Sequence, residues 1–327
     1  MRFFAIINSE KYISKKGCSM KKIVVIGSSN VDTTLHVKDF PKPGETINAL
    51  DVTTAGGGKG ANQAIAAAKS GAETYFISRV GEDSAGGFIT HQLKSYGVDA
   101  TYVQTTMGSK TGHAYITLSE AGQNSIVIDH GANYELTVED VKAASDLIQN
   151  WDCVIAQFET PIEVTLAAFK MAKKAGKITI LNPAPAIDKI PAKLLGYTDI
   201  ITPNETESAK ITGIPIKNKS TLATNAEKLH LLGIKNVVIT YGDKGAYVST
   251  PDVEELVPAY KVEAADTTGA GDTFIGYLAS NLNSDLTNFT EAAKTASRAS
   301  SIAVQRLGAQ PSIPTAKEVR DAMEEDE

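Results

Sequence analysis

Short, strand-like apolar runs alternate with longer segments of helical spacing along most of this chain. Such runs lie at residues 23–26, 152–158, 177–181, 199–202 and 236–240. A continuous apolar run suits a strand that is buried on both faces of a parallel sheet, and the helical segments between runs supply right-handed crossovers. The pattern predicts a three-layer αβα fold, in which helices cover both faces of a mainly parallel central sheet.

Two segments, residues 33–56 and 110–129, break this alternation. The first has strand-like spacing on both sides of a Pro- and Gly-containing turn at 40–44. The second is typical of a β-hairpin whose turn contains Gly122. We expect the two segments to form a small β-sheet that stands beside the main sheet as a lid or an interface.

Composition and charge bound the class of protein. The chain has 327 residues and a formal net charge of −6, and its Lys and Arg residues are dispersed, which argues against a nucleic-acid partner. No apolar run approaches the roughly 20 residues that span a bilayer, and Cys18 and Cys153 imply no disulfide framework or metal site. We expect a cytoplasmic protein with no membrane segment. The expected regions are a main domain over 20–315, an acidic tail over 316–327, and an extension over 1–19 that is disordered or precedes a start at Met20.

The stretch 266–274, Asp-Thr-Thr-Gly-Ala-Gly-Asp-Thr-Phe, predicts an anion site. Apolar residues at helical spacing follow it, so its glycines enter the first turn of a helix, where backbone N–H groups lack partners and the macrodipole is positive. Gly269, Ala270 and Gly271 carry little bulk, which leaves room for a phosphate. Asp272 would repel that phosphate unless it takes the proton of an attacking hydroxyl. The alternative is that Asp272 only complements the helix dipole.

A second glycine-rich stretch, residues 55–63, precedes an alanine-rich helix. Its glycines cost backbone entropy, which indicates either the close approach of a ligand or a hinge. Lys59 and Asn62 place hydrogen-bond donors there. The stretch is not a Walker A loop, because no Gly-Lys-Ser/Thr follows, and Ala61 stands where the dinucleotide fingerprint needs its third glycine.

Polar residues cluster where predicted strands end, which is where open α/β sheets bind ligands. Asn30 and Asp32 follow the first strand, and Glu159 follows the strand at 152–158. Asn204 and Glu207 begin a helix with the spacing to face one side and hold water around a magnesium ion. The alternatives are turn residues for the first pair, a helix cap for Glu159, and a capping arrangement for the last pair.

The two glycine-rich stretches, in this order, resemble the two signatures of the phosphofructokinase-B family of carbohydrate kinases. The resemblance runs from residue 20 to about 312, and 182–185, 202–207 and 308–312 are similar to its ribokinase branch. It implies a ribokinase-like fold and transfer of a phosphoryl group from ATP to the 5-hydroxyl of D-ribose, giving ribose 5-phosphate. It also implies magnesium, activation by potassium, and a homodimer formed through the β lid.

The resemblance further implies a role for each residue that matches a family position. Asp272 would be the general base, and the backbone of Gly269, Ala270 and Gly271 would form the anion hole. Ribose would contact Asn30, Asp32, Gly58, Lys59, Asn62, Glu159 and Asp272. ATP would contact Asn204, Thr240, Gly242, Gly245 and Gly271, with Glu207 ordering the water around magnesium. Potassium would be held at Asp266, Thr268, Ala303, Arg306, Gly308 and Ser312, several of them through backbone oxygens.

Three rival functions follow from the same residues. The first is a kinase of another acceptor, such as 2-deoxyribose or adenosine; Asn30, Asp32 and Lys59 favour a fully hydroxylated sugar, but a nucleoside stays open. The second is a sugar-binding regulator without catalysis, which the carboxylate of Asp272 inside an intact glycine loop disfavours. The third, a dinucleotide oxidoreductase, is disfavoured by the missing fingerprint.

Overall fold

The computed structural model describes residues 20–326, so the predicted extension over 1–19 lies outside the described residues. The strands, in chain order, are β1 (Lys22–Ile26), β2 (Asn30–Val37), β3 (Asp51–Gly57), β4 (Glu73–Gly81), β5 (Val98–Thr106), β6 (Gly112–Ser119), β7 (Asn124–Asp129), β8 (Cys153–Ala156), β9 (Ile178–Leu181), β10 (Ile200–Ile201), β11 (Asn236–Thr240), β12 (Ala246–Ser249) and β13 (Glu254–Val257).

The helices lie between and after these strands. They are α1 (Lys59–Lys69), α2 (Ser84–Ser95), α3 (Val138–Ala143), α4 (Ser145–Asn150), α5 (Ile162–Lys174), α6 (Ala192–Leu195), α7 (Glu205–Thr212), α8 (Lys219–Leu231), α9 (Ala270–Asn281), α10 (Phe289–Ala303), α11 (Ala309–Ser312) and α12 (Ala316–Glu325), with short 3-10 helices at Gly131–Glu135 and Gly242–Lys244.

A nine-stranded sheet forms the centre of the fold, in the order β13-β12-β11-β10-β9-β8-β1-β4-β5. Neighbours from β11 through β5 pair in parallel, and β12 and β13 add an antiparallel edge. Helices cover both faces, so the predicted three-layer α/β architecture is confirmed. The antiparallel edge was not predicted, because short strands joined by tight turns leave little periodic signal.

The first strand shows why a continuous apolar run marks a central strand. Ile23 and Val25 belong to the core on one face, which also contains residues of α1, α9 and α10. Val24 and Ile26 belong to the core on the other face, with residues of α5 and α8. All four side chains are fully buried, and burying each one contributes about 1.5–3 kcal/mol.

A separate four-stranded sheet, in the order β3-β2-β6-β7, stands beside the large one. We call it the small sheet. Strands β6 and β7 form the predicted hairpin, and β2 pairs antiparallel with β3 and parallel with β6. Asn30 at the start of β2 lies opposite Gly57 at the end of β3. This register brings the polar end of β1 and β2 next to the glycine-rich loop that precedes α1.

Helices α1 and α9 pack unusually closely, and this contact joins the two glycine-rich stretches. A Cβ atom at Gly276 would lie 2.4 Å from the Cβ of Ala66 and 2.7 Å from the backbone nitrogen of Ala67. Only a glycine therefore allows this approach. Because the first turn of each helix carries polar side chains, the contact sets Asn62 and Gln63 of α1 against Asp272 of α9.

The structure adds two details that the sequence pattern does not show. The helical segment before β8 divides into α3 and α4 at Ala144, which leaves the helical region (φ −96°, ψ 16°). The segment predicted as an acidic tail is mostly the helix α12, whose Val319 is buried in the core. That single buried contact is too weak a periodic signal to distinguish a docked helix from a solvated tail.

Candidate active site

The first turn of α9 opens onto a cavity, as the glycine pattern predicts. Gly269 caps the helix in the left-handed region (φ 75°), where glycine is unstrained. Apart from its chain neighbours and the adjacent backbone of α9, no atom of residues 20–326 lies within 4 Å of the position that a Cβ of Gly271 would occupy. The cavity, about 210 Å³ in volume, is lined by Gly269, Gly271 and Asp272 on this side. The helix N-terminus thus presents backbone N–H groups to a space large enough for a phosphate.

Two amide side chains donate hydrogen bonds to the carboxylate of Asp272. Its Oδ2 accepts a hydrogen bond from Asn62 Nδ2 (3.0 Å), and its Oδ1 accepts one from Gln63 Nε2 (2.9 Å). Its exposed fraction is 8%, yet it lines the cavity. Burial raises the pKa of Asp272, while the charge of Lys59 and the two amide donors act in the opposite direction. The result is an oriented carboxylate with more basicity than an exposed aspartate.

The second glycine-rich loop places Lys59 against three carboxylates. Gly58 has φ 89° and caps α1, so Lys59 begins the helix. Burial acts to lower the pKa of Lys59, but the negative charges of Asp272, Glu159 and Glu207 outweigh it and raise the pKa. Lys59 is therefore a buried cation, and it lines the same cavity as Asp272.

Asp32 and Asn30 face this loop from the small sheet. A Cβ at Gly57 would lie only 2.0 Å from Asp32 Oδ2, so the glycine is required for the carboxylate to fit. Burial, together with the charges of Glu159 and Asp272, raises the pKa of Asp32 to about 7. Asn30 is buried, and its Oδ1 accepts a hydrogen bond from Asn133 Nδ2 (2.8 Å).

Glu159 joins the group from the end of β8. Its Oε2 accepts hydrogen bonds from the hydroxyl of Ser28 and from the backbone N–H of Lys59 (3.2 Å). It is buried, with 6% of its surface exposed. The charges of Glu159 and Asp272 act on both Asp32 and Lys59, and carboxylates grouped in this way readily accept hydrogen bonds from the hydroxyl groups of a ligand.

Asn204 and Glu207 form a capping box at the start of α7. Asn204 Oδ1 accepts from the backbone N–H of Glu207 (2.7 Å), and Glu207 Oε2 accepts from the backbone N–H of Asn204 (2.9 Å). The capping alternative is therefore present in the structure. Both residues nevertheless line the cavity opposite Asp272, with Thr240 beside them. Burial raises the pKa of Glu207 above its ordinary value.

The loop after β11 approaches the end of the large sheet through two glycines. Gly242 and Gly245 have φ of 51° and 111°. A Cβ at Gly245 would lie 2.0 Å from the carbonyl oxygen of Val257, so the loop fits only with glycine there. The turn follows directly on Thr240, which lines the cavity.

The residues predicted to hold potassium lie in two segments, the loop before α9 and the stretch from the end of α10 through α11, and Asp266 joins the two. Its Oδ1 accepts from the backbone N–H of Thr268 (2.9 Å), and its Oδ2 accepts from the backbone N–H of Gly308 (2.9 Å). Burial acts to raise the pKa of Asp266, but these hydrogen bonds outweigh it and lower the pKa. Arg306 contacts the carbonyl oxygen of Ser312 (3.5 Å) and pairs with Glu318 of α12 (2.6 Å).

Comparison with known proteins identifies the family. A model of the pfkB family carbohydrate kinases matches residues 20–316. The chain belongs to this family. Staphylococcus aureus ribokinase is 46% identical over 299 residues, covering 91% of this chain and 98% of that protein. The structure of Arabidopsis thaliana ribokinase complexed with ribose and ATP superposes with a TM-score of 0.84 at 36% identity, covering 93% of this chain and 98% of that one.

A fused relative also matches. The bifunctional ribokinase/ribose-5-phosphate isomerase A of Fructilactobacillus sanfranciscensis is 48% identical over 310 residues, which cover 94% of this chain but 57% of that protein. The resemblance of the two glycine-rich signatures to a carbohydrate kinase family is thus confirmed. Within residues 20–326 no helix is long and apolar enough to cross a membrane.

Several residues of this pfkB-family site were not predicted. Ser28 and Asn133 hold Glu159 and Asn30, and Gln63, Gln157 and Asn182 form a buried amide network behind Asp272. Gln63 lies within the first signature, Gln157 lies near the end of the predicted strand at 152–158, and Asn182 follows the one at 177–181, so their positions carried a signal. Asn133 carried none, because it lies in a 3-10 turn with no periodic pattern.

Proposed function

We propose that this chain transfers the terminal phosphoryl group of ATP to the 5-hydroxyl of D-ribose. The observation that supports this most directly is Asp272: an oriented, buried carboxylate in the first turn of α9, beside the backbone N–H groups of a glycine loop and open to a cavity. A phosphate at the helix N-terminus and a hydroxyl between it and Asp272 would complete the reacting set.

In this proposal Asp272 accepts the proton of the sugar hydroxyl as the hydroxyl oxygen attacks phosphorus. The backbone of Gly269, Ala270 and Gly271 stabilises the negative charge on the transferring group, and Lys59 adds a positive charge from α1. Phosphoryl transfer depends mainly on positioning and charge stabilisation. General-base help from Asp272 contributes about 10²- to 10⁴-fold.

Ribose would lie between the small sheet and α1. Asp32 and Glu159 accept hydrogen bonds from its hydroxyl groups, with Asn30, Gly58 and Lys59 completing the pocket. Asn62 suits this role well, because its Oδ1 is buried and has no hydrogen-bond partner among the described residues. A buried acceptor without a donor is costly, and a sugar hydroxyl would satisfy it. The small sheet would close over the sugar as a lid and exclude water.

ATP would occupy the opposite side of the cavity, at Asn204, Thr240, Gly242 and Gly245. Magnesium would be held through ordered water by Glu207, since capping occupies only one of its carboxylate oxygens. Hard oxygen donors and retained water suit this ion, which supplies charge neutralisation of the phosphates when bound. In residues 20–326 no group of three or more His, Cys, Asp or Glu side chains is placed to hold a metal without the nucleotide.

Potassium would bind at Asp266, Thr268, Ala303, Arg306, Gly308 and Ser312. The residues present fit such an ion, because the pKa of Asp266 is lowered and its carboxylate joins the two segments that would supply the backbone oxygens. An ion there would order the loop that leads directly into Gly269.

We also propose that the small sheet pairs two subunits. It carries exposed apolar side chains on both faces, which partners commonly cover: Val52, Tyr115 and Val127 on one face, and Ile126 and Ile128 on the other. Sedimentation equilibrium should give a dimer that the Ile126→Asp variant weakens; a wild-type monomer at micromolar concentration would contradict the pairing.

A cytoplasmic location, where ATP is abundant, suits this enzyme.

The Asp272→Asn variant tests the proposed chemistry. Its fold should survive, since Asn62 can rotate its amide so that the free Oδ1 accepts from the new amide group. Turnover should fall about 10²- to 10⁴-fold while ATP binding, measured by calorimetry, is retained. Asp188→Asn, at a side chain that is 94% exposed, serves as the matched control. Near-normal turnover of Asp272→Asn would exclude Asp272 as the base.

A further inference from the structure

A chain of three buried amides stands behind Asp272, and Gln63 is at its centre. Gln63 is fully buried on α1. Its Nε2 donates to Asp272 Oδ1 (2.9 Å) and to Asn182 Oδ1 (3.1 Å), and its Oε1 accepts from Gln157 Nε2 (2.6 Å). Both N–H groups of Gln63 and its carbonyl oxygen are therefore engaged, on three different elements of the fold.

The orientation of this amide is set by its neighbours. Asn182 Nδ2 faces the backbone carbonyl oxygen of Thr202 (2.9 Å), which can only accept a hydrogen bond. The Oδ1 of Asn182 must therefore face Gln63. Because that oxygen can only accept, Gln63 must donate to it through its amide nitrogen. The same nitrogen then supplies the donor that Asp272 needs. The backbone carbonyl of Thr202, directly after β10, thus determines through Asn182 which group of Gln63 faces the carboxylate.

We propose that Gln63 is a positioning residue for phosphoryl transfer, which fixes the carboxylate of Asp272 toward the acceptor hydroxyl. The inference rests on the proposed role of Asp272. Asn62 and Gln63 each hold one carboxylate oxygen, so together they prevent rotation about the Cβ–Cγ bond. Only Asn62 is placed to meet the sugar as well, through its unpartnered Oδ1. Gln63, with every polar atom engaged by protein, acts through Asp272 alone.

Charged groups around Asp272 come from several elements. Lys59 of α1 favours its ionised form, while Glu159 after β8, Asp32 of β2 and Glu207 of α7 add negative charge nearby. Lys59 acts most strongly toward the ionised form of Asp272, and the two amide donors act in the same direction while each binds one carboxylate oxygen. Removal of one donor should therefore change both its geometry and the pH at which it works.

The Gln63→Met variant keeps the length of the side chain and removes the donor. We expect kcat to fall about 10- to 100-fold, because a hydrogen bond to a charged group is lost. The KM for the sugar should change less than about threefold, since every polar atom of Gln63 is engaged by protein and none is left to bind the sugar. The acid limb of the kcat–pH profile should move up by about one pH unit. Thr165→Val is the matched control and should leave the profile unchanged, because it removes a buried hydroxyl on α5 that has no hydrogen-bond partner in the described part of the chain.

The outcomes separate this proposal from a merely structural role. A lower Tm with an unchanged acid limb and unchanged kcat would overturn it, as would equal losses in kcat and sugar affinity. If Gln63→Met does not fold, Gln157→Met carries the test: it removes the hydrogen bond to Gln63 Oε1 and so loosens the Gln63 side chain, while leaving its donor to Asp272 present. That variant should shift the acid limb in the same direction by a smaller amount, and an unshifted limb would overturn the proposal.

The same measurements distinguish failure of the proposed function from failure of the proposed role of Gln63. If the wild-type enzyme phosphorylates an acceptor other than ribose, the same profiles are measured with that acceptor, and a shifted limb supports Gln63 although the ribose assignment is lost. If ribose is phosphorylated but neither variant moves the limb, the function stands and the role of Gln63 is refuted. Absence of turnover with every acceptor overturns both.

Discussion

Replacing Asp32 with asparagine should stabilise the sugar-free protein and lower its affinity for ribose. The carboxyl group of Asp32 has a pKa of about 7 in the fold, against an ordinary value of 3.8, chiefly because it is buried beside Glu159 and Asp272. The unfolded chain releases this proton at lower pH than the folded protein does. Folding stability is therefore lost as pH rises from about 4 to about 7, and the loss is complete above that range.

The size of the effect follows from the two pKa values. Each unit of difference corresponds to about 1.4 kcal/mol, which makes the cost of keeping Asp32 in the fold about 2 kcal/mol at pH 5.5 and about 4 kcal/mol at pH 8.5. Asp32→Asn removes that cost. For a chain of this length we expect Tm to rise by about 3 °C at pH 5.5 and about 6 °C at pH 8.5. The same change removes an ionised acceptor from the sugar pocket, so ribose should bind about 10- to 100-fold more weakly at pH 8.5.

Thermal unfolding at the two pH values, with ribose titrations by calorimetry, provides the assay. Asp51→Asn is a matched control, because Asp51 lies exposed on the neighbouring strand β3 and its replacement should change stability by less than about 0.5 kcal/mol. A Tm gain that is equal at both pH values, or larger at pH 5.5, would refute the electrostatic reasoning. Unchanged ribose affinity would remove Asp32 from the sugar pocket.

The remaining predictions concern two glycines and the pH dependence of the KM for ribose. Gly271→Ala should leave Tm nearly unchanged, because the new methyl group meets no atom within 4 Å, but should lower kcat about tenfold or more by occupying the space of the phosphate; unaltered kcat would count against an anion hole there. Gly276→Ala should destabilise the protein by about 1–3 kcal/mol, since its Cβ would lie 2.4 Å from that of Ala66, and a neutral result in urea unfolding would mean that α1 and α9 separate easily. In the wild type, the KM for ribose should rise about tenfold from pH 8 to pH 6 as Asp32 takes up a proton; a flat profile would show that ribose binds equally well when Asp32 is neutral.

Local patterns predicted those parts of the site that one segment builds alone. The glycines of 266–274 and the helical spacing after them were enough to predict a helix N-terminus with Asp272 in its first turn, and α9 begins at Ala270. The spacing of Asn204 and Glu207 likewise predicted a shared face or a capping box. In these cases the physical cause, an unpaired N–H or a required turn, lies within a few residues.

Contacts between distant segments left no such pattern. Gln63 and Asp272 are 209 residues apart in the chain, and Gln63 and Asn182 are 119 apart. Only the order of strands in the large sheet and the close packing at Gly276 bring them together. The raised pKa of Asp32 has the same origin, because its neighbours Glu159 and Asp272 come from β8 and α9. The sequence shows that such residues are polar and lie near predicted strand ends, but it does not show which residues they contact in the fold.

The most direct test of the central claim is ADP release from ATP and magnesium across a panel of acceptors: D-ribose, 2-deoxy-D-ribose, fructose, adenosine and no sugar, each with and without potassium. We predict turnover that requires ribose and is raised by potassium, with little ATP hydrolysis in the absence of sugar. Turnover with deoxyribose, fructose or adenosine alone would contradict the ribose assignment while retaining the phosphate chemistry. ADP release that is independent of any sugar, or no turnover with any acceptor, would contradict the claim that this chain is a ribose kinase.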